Sequence, residues 1–338
     1  MSRPHSAQVS FQRDRLSYLW LALGILFFAF ATVRWTIPLA AWLYPVFLLR
    51  FVRTQPLLRG ILLVLLASVL ELAIELQGFV AFSGALYYLA PFGFGVVFGV
   101  LFTLPYLIDR VVAPRLGGML GTLVFPLAVT TVWYLNDLVN PFPWGNPAYT
   151  QYGNLPLLPL LSVTGLWGIV FLMSWLASLV NWAWEQGFAW SKVRPGLLLY
   201  SGLLALVFVG GGARLAFFAP QGPTVRVAGI TASRALPLPD RPFLDTERGA
   251  LFLSGKATEA DRQPIRPALA QIDDDLLTRS QQEARAGAKV VVWSESDAVV
   301  LQEDEAALLQ QARAVAQASG IYLDMGLAVI LPPRDPKR

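Results

Sequence analysis

The chain has 338 residues, 55% hydrophobic and only 14% charged, with a formal net charge of +4. A soluble domain carries about 25% charged residues, so composition excludes an ordinary soluble protein over much of the length. There is no Cys and one His, His5, which excludes disulfides, Cys-ligated or multi-His metal sites, a His-based triad and a thiol nucleophile among these residues.

Charge divides the chain in two. Residues 1–219 hold 12 of the 26 Lys/Arg and 6 of the 22 Asp/Glu, leaving 14 and 16 for the remainder. The basic first part reads as membrane-topology charge. No basic stripe with interleaved aromatics follows, so nucleic acid is not an expected partner. The organisation this predicts is a polar tail (1–15), a transmembrane domain (16–219) and an extracytoplasmic domain (220–338).

The first apolar run is Leu16–Val33, and about 20 residues cross a bilayer as a helix. No small-residue cleavage site follows it, so it reads as a span and not a signal peptide. Ile37–Phe51 is shorter and holds Pro38 and Pro45, which suggests a kinked or re-entrant pair with the first run. Ile61–Phe82, Gly84–Ile108, Met119–Val139, Ser162–Trp184 and Gly196–Phe218 complete about seven spans. With the N-terminus cytoplasmic, ten basic residues fall on the inner side, while the outer loops hold only Arg34. That bias places everything after Phe218 outside the cytoplasm.

Glu71 and Glu75, one helical turn apart, fall in the outer half of the third span, and Asp137 near the outer end of the fifth. Intramembrane carboxylates are often functional, although three acids near the interface are equally served by hydration. The uncharged loop Pro141–Leu161 carries Trp144, Tyr149 and Tyr152. It reads as an aromatic belt or as a substrate-binding surface.

In the outer domain, Thr224–Thr231 alternates and reads as a strand. Residues 232–267 read as a long loop, Leu269–Ala286 as a helix and Ala288–Trp293 as a strand buried on both faces. Asp304–Ser319 reads as a helix closed by Gly320, and Ile321–Leu331 as a third strand. This β-α-β-α-β order predicts a mixed or parallel sheet with helices covering it. In such sheets chemistry gathers beyond the carboxyl ends of strands, where Glu295 follows the central strand. An acid there is also commonly a helix cap or a solvated side chain.

The segment KVVVWSES (289–296) resembles the strand and turn of the nitrilase superfamily that ends in Trp-Pro-Glu. The whole layout resembles that superfamily's membrane branch, the apolipoprotein N-acyltransferases. TVRVAGIT (224–231) sits where the first nitrilase strand falls, SGIYLDMGLAVI (319–330) where a later strand falls, and residues 141–175 resemble the family's loop and following span. Two departures stand out. Ser294 replaces the usual Pro, and the family's catalytic Lys and Cys have no counterpart, since neither Lys289 nor Lys337 lies in a matching segment.

The resemblance implies a polytopic helical bundle followed by a partial nitrilase-like α/β sandwich. It implies transfer of an acyl chain from phospholipid, through a Cys thioester, to the N-terminal amine of a diacylated lipoprotein in the bacterial inner membrane. Glu295 takes the general-base role, and Trp144, Tyr149 and Trp293 are candidate substrate contacts. Partners are then the phospholipid donor, the lipoprotein acceptor and membrane lipids, with no cofactor and no metal. Lacking the Lys and Cys, the chain is expected to be inactive alone. Two other readings are a related membrane amidase or acyltransferase for another acceptor, and a non-enzymatic carrier or assembly protein. The carrier would use Glu71, Glu75 and Asp137 along a polar path.

Overall fold

The computed structural model describes residues 14–31, 35–77, 86–140, 145–218, 221–233, 252 and 256–332. It separates into two compact units, Met1–Phe79 with Tyr88–Pro220, and Val80–Tyr87 with Gln221–Arg338.

The described residues of the first unit are helical. In order they form α1 (Ser17–Ala29), α2 (Pro38–Thr54), α3 (Leu57–Glu75), α4 (Leu86–Leu116), the single turn α5 (Gly118–Gly121), α6 (Val124–Val139), the short α7 (Leu161–Thr164), α8 (Leu166–Glu185) and α9 (Trp190–Phe217). Among the described residues, five stretches are long and apolar enough to cross a membrane: Leu57–Glu75, Tyr88–Leu116, Gly118–Val139, Leu166–Glu185 and Trp190–Phe217. The 13 residues of α1 and 17 of α2 fall short of the roughly 20 a crossing needs. They form an antiparallel hairpin. Ala31 bridges Thr36 near its tip, Phe28 meets Tyr44 midway, and Gln55 donates to Ser17 Oγ at 2.8 Å at its base. The expected seven spans thus stand as five long helices plus this hairpin.

α8 is the axis of the bundle. Ile169, Val170, Leu172, Met173, Trp175, Ala177 and Leu179 are all buried. With little hydrophobic gain between helices in lipid, polar contacts and close backbone approach hold such bundles together. Asn181 donates to the Val46 carbonyl of α2 at 2.9 Å, Trp175 Nε1 to Thr122 Oγ1 at 3.1 Å, and the Tyr200 hydroxyl of α9 to the Leu172 carbonyl at 3.0 Å. Gly95 and Gly99 on α4 press against Val69 of α3, where a Cβ would come within 2.8 Å.

The second unit is α/β. Its elements are β1 (Arg226–Ile230), α10 (Glu259–Arg262), α11 (Arg266–Arg285), β2 (Ala288–Trp293), β3 (Ala298–Leu301), α12 (Gln302–Ser319), β4 (Tyr322–Asp324) and β5 (Leu327–Ile330). All pairings are parallel, in one sheet ordered β1-β2-β4 and a second of β3 and β5. The strand Ala288–Trp293 has the expected bounds but is not buried on both faces, since Lys289 is exposed and Val290 and Val292 are half-buried; Gly320 closes α12 in the left-handed conformation (φ 61°). Three more readings are corrected, the first being the expected loop 232–267, which holds α10 and the start of α11 and otherwise lies largely outside the described residues. The expected strand Ile321–Leu331 is two strands that join different sheets, and β3 was not foreseen. The single three-strand order therefore becomes, among the described residues, five strands in two sheets.

Leu276 and Leu277 of α11 and Leu308 and Ala312 of α12 pack with Ala228, Val291 and Trp293. On the other face of the β1-β2-β4 sheet, Val227 and Tyr322 are 58% and 80% exposed. All four residues of β3 are buried. Arg266 of α11 grips Asp304 of α12 at 2.6 and 2.9 Å, and Arg262 of α10 reaches Glu303 of α12 at 2.7 Å. Nearby, burial pushes the Asp273 carboxyl up to about 7, aided by the charges of Asp274 and Asp304.

Candidate functional site

Glu295 sits on the turn between β2 and β3, beyond the carboxyl end of the central strand, and is exposed. The turn is tight. Ser296 takes a left-handed conformation (φ 57°) and the Asp297 amide donates to the Ser294 carbonyl at 3.2 Å. No helix follows Glu295 directly, so it caps none.

Neighbouring strands clamp this turn from two sides. The Ser294 amide donates to the Ile230 carbonyl at 3.1 Å, extending the β1–β2 ladder by one residue. Asp297 Oδ2 accepts the Ala232 amide at 2.6 Å. Asp275 Oδ2 accepts the next amide, of Ser233, at 2.7 Å, and is itself held by Arg279 at 2.8 Å. From the other side, Gly326 lies against the backbone of Ser294 and Glu295, and its missing Cβ leaves room for the turn. Glu295 thus projects as a solvated carboxylate from a turn whose backbone is fixed at both ends. Such a group can accept a proton from a nucleophile and return it to a leaving group.

Asp297 and Gly326 were not singled out from sequence. The available signals were an acid two residues beyond Glu295, and a Gly interrupting an otherwise apolar strand.

Trp293 is placed elsewhere. It is 2% exposed, and its indole N–H donates to Ser280 Oγ at 2.9 Å on α11. The side chain lies in the sheet–helix core, away from the exposed turn. Trp144 lies outside the described residues.

In the first unit, Tyr149 is 47% exposed on the one-turn helix Pro147–Gln151. That segment is anchored by buried polar groups. Gln151 donates to the Pro38 carbonyl at 2.9 Å and accepts from Trp42 Nε1 at 3.1 Å. Asp137 accepts from the side-chain amides of Asn146 at 2.9 Å and Asn136 at 3.0 Å. Asp137 therefore serves as an anchor for the loop. Glu75 is buried and Glu71 half-buried on the last turns of α3.

Among the described residues, no cluster of three or more His, Asp or Glu is placed to hold a metal ion. No protein-family model matches the chain. It is similar to the apolipoprotein N-acyltransferase of Geobacter metallireducens, 36% identical over 89 residues, or 25% of this chain and 16% of that protein. It is also similar to apolipoprotein N-acyltransferase 2 of Treponema pallidum, 27% identical over 227 residues, or 65% of this chain and 38% of that protein. The resemblance read from sequence is thus shared by two curated relatives carrying that name, and the chain spans well under half the length of each.

Proposed function

We propose that this chain supplies the membrane bundle and the first part of the catalytic domain of an apolipoprotein N-acyltransferase-type protein. In this reading Glu295 is the general base for acyl transfer from phospholipid to the N-terminal amine of a lipoprotein. The observation that carries the reading is the mounting of Glu295. It is an exposed carboxylate beyond the central parallel strand, on a turn tied to β1 by Ile230 and Asp297 and packed on Gly326, in a chain similar to proteins of that name.

The chemistry requires a thiol, and none of these 338 residues is Cys. The nucleophile therefore comes from outside this sequence. Glu295 takes the thiol proton, the thiolate attacks the acyl ester, and Glu295 returns that proton to the departing oxygen of the lysophospholipid, which leaves the thioester and a free carboxylate. The lipoprotein amine then attacks the thioester, and the carboxylate takes the amine's proton as the thiol leaves. The uncovered sheet face bearing Val227 and Tyr322 supports a further protein layer, as a sandwich domain has. The five long helices and the basic bias of alternate loops support an inner-membrane location with the N-terminus cytoplasmic and residues 220–338 outside.

The test has two arms. The purified 338-residue chain, given a phospholipid with a labelled acyl chain and a diacylated lipopeptide, is expected to transfer nothing. Transfer by this chain alone would refute the need for an external thiol. A gene product that continues past residue 338 with a Cys is expected to transfer the label, and to lose about 10²- to 10⁴-fold in rate on Glu295→Gln. An unchanged rate in that variant removes Glu295 from the mechanism.

A further inference from the structure

α2 is interrupted by Pro45, and α4, among its prolines, by Pro105. Proline has no N–H to donate, so in each helix the carbonyl four residues back, of Ala41 and of Leu101, loses its helical partner. Lipid tails offer no donor. Freed carbonyls in a membrane helix are satisfied by neighbouring side chains or by ordered water. Here the two interruptions meet. Ala41, Pro45, Leu101 and Pro105 all line one cavity of about 30 Å³ inside the first unit. A water needs about 10–15 Å³ of such space and two to four polar partners, so there is room for about two.

The polar partners are present as well. Tyr44 precedes Pro45, Tyr106 follows Pro105, and both tyrosines line the same cavity. Their rings are fixed by aromatic contacts, Tyr44 against Phe28 and Tyr106 against Phe125, each with centroids 5.0 Å apart. Neither hydroxyl has a hydrogen-bond partner among the described residues, although a buried phenol usually finds one. Ser68 of α3, only 4% exposed, brings a third hydroxyl to the lining. Glu71, also on α3 and within electrostatic reach of Tyr44, has its Oε2 buried with no hydrogen-bond partner. Two carbonyls short of a donor and two phenols short of an acceptor thus gather around a space the size of two waters.

We propose that this cavity is a hydration site, distinct from the Glu295 turn and independent of its chemistry. One or two ordered waters donate to the Ala41 and Leu101 carbonyls and accept from the Tyr44 and Tyr106 hydroxyls. Water supplies both functions at once, and so joins the two proline interruptions into one hydrogen-bonded node between α2 and α4.

Radiolytic footprinting of the full chain in lipid nanodiscs tests this, since hydroxyl radicals made from a bound water oxidise the side chains that touch it. Met173 lines the cavity and is 2% exposed, whereas Trp175, 4% exposed on the same helix, does not line it. Relative to the free amino acids, Met173 and Tyr106 should be labelled about fivefold faster than Trp175, because only they touch the water. A bulk radical scavenger should suppress labelling at Tyr149, which is 47% exposed, and spare Met173. Two variants act on the site itself. Tyr44→Phe combined with Tyr106→Phe keeps both rings and removes both donors, and Ser68→Val replaces a hydroxyl of the lining with a methyl group. Each should cut Met173 labelling about threefold by removing a polar partner of the water. A loss in either variant supports the proposal. Met173 labelled no faster than Trp175, equal suppression of Met173 and Tyr149 by the scavenger, or an unchanged Met173 rate in both variants overturns it. The two wild-type measurements stand whether or not the variants fold.

Discussion

Gly326 packs directly on Ser294: a Cβ at position 326 would meet the Ser294 carbonyl carbon at 2.9 Å and lie 3.0 Å from the Glu295 Cα. Both partners are backbone, so neither can swing aside.

Gly326→Ala should therefore displace the Glu295 turn or the start of β5. Overpacking of this kind costs about 1–3 kcal/mol. The expected outcome is a lower melting temperature and faster amide exchange at residues 294–297, with α9 unaffected. Unchanged exchange at the turn would show that the contact does not hold it.

Asp297→Ala should free the Ala232 amide, which now donates to the carboxylate at 2.6 Å. A hydrogen bond to a charged group is worth about 1.5–3 kcal/mol. Asp297→Asn keeps an acceptor and should lose less than half as much. Denaturant unfolding of the two variants checks the ranking, and equal losses would point to packing instead.

In the bundle, Asp109 is 1% exposed and forms the two-pronged pair with Arg53. Removing one member of a buried pair costs about 3–5 kcal/mol. Arg53→Ala and Asp109→Ala should each lower detergent-solubilised stability by that order. The double variant should cost clearly less than their sum, since neither member of the buried pair is then left alone and only the exposed Glu185 loses its contact to Arg53. Simple additivity in thermal unfolding would deny the coupling.

Asp273 supplies a pH dependence with a definite sign. Its carboxyl is pushed from 3.8 to about 7 in the folded protein, so between those values the folded state holds a proton that the unfolded chain has released. Unfolding then releases a proton, and stability falls as pH rises through that window. Asp273→Asn should flatten the decline between pH 4 and 7 and make the protein more stable than wild type at pH 8. Melting curves across this range test it, and a parallel decline in both proteins would rule Asp273 out.

Much of the framework was legible in the sequence because burial leaves a strong pattern. The run Ala288–Trp293, apolar apart from Lys289, is β2 residue for residue, and Gly320 marks the end of α12. What escaped was set by short segments and by contacts distant in sequence. β3 has four residues and runs straight into a helix, too little for a period to show. Ile321–Leu331 looks continuous in hydropathy, yet Met325 and Gly326 carry the chain from one sheet to the other. Hydropathy located the first two apolar runs but not their helical bounds: α1 keeps 13 residues of its run, and α2 continues past its own to Thr54. At the site, Glu295 was visible as an acid beyond a buried strand, while its clamps came from residues on three other segments. Period-two reasoning would set Trp293 and Glu295 on one face. The strand ends at Trp293, and the turn sends the two side chains into different surroundings.

Among the described residues the chain passes between its two sheets three times, through α12 from Leu301 to Tyr322 and by two short links, Trp293 to Ala298 and Asp324 to Leu327, and the two short links touch at Ser294 and Gly326. A single short link would let the sheets pivot about one strand of backbone, as a door does on one pin. Two short links in contact remove that rotation. The carboxylate at Glu295 is carried by the junction itself, so its position is indexed to both sheets at once, and neither can drift without taking it along.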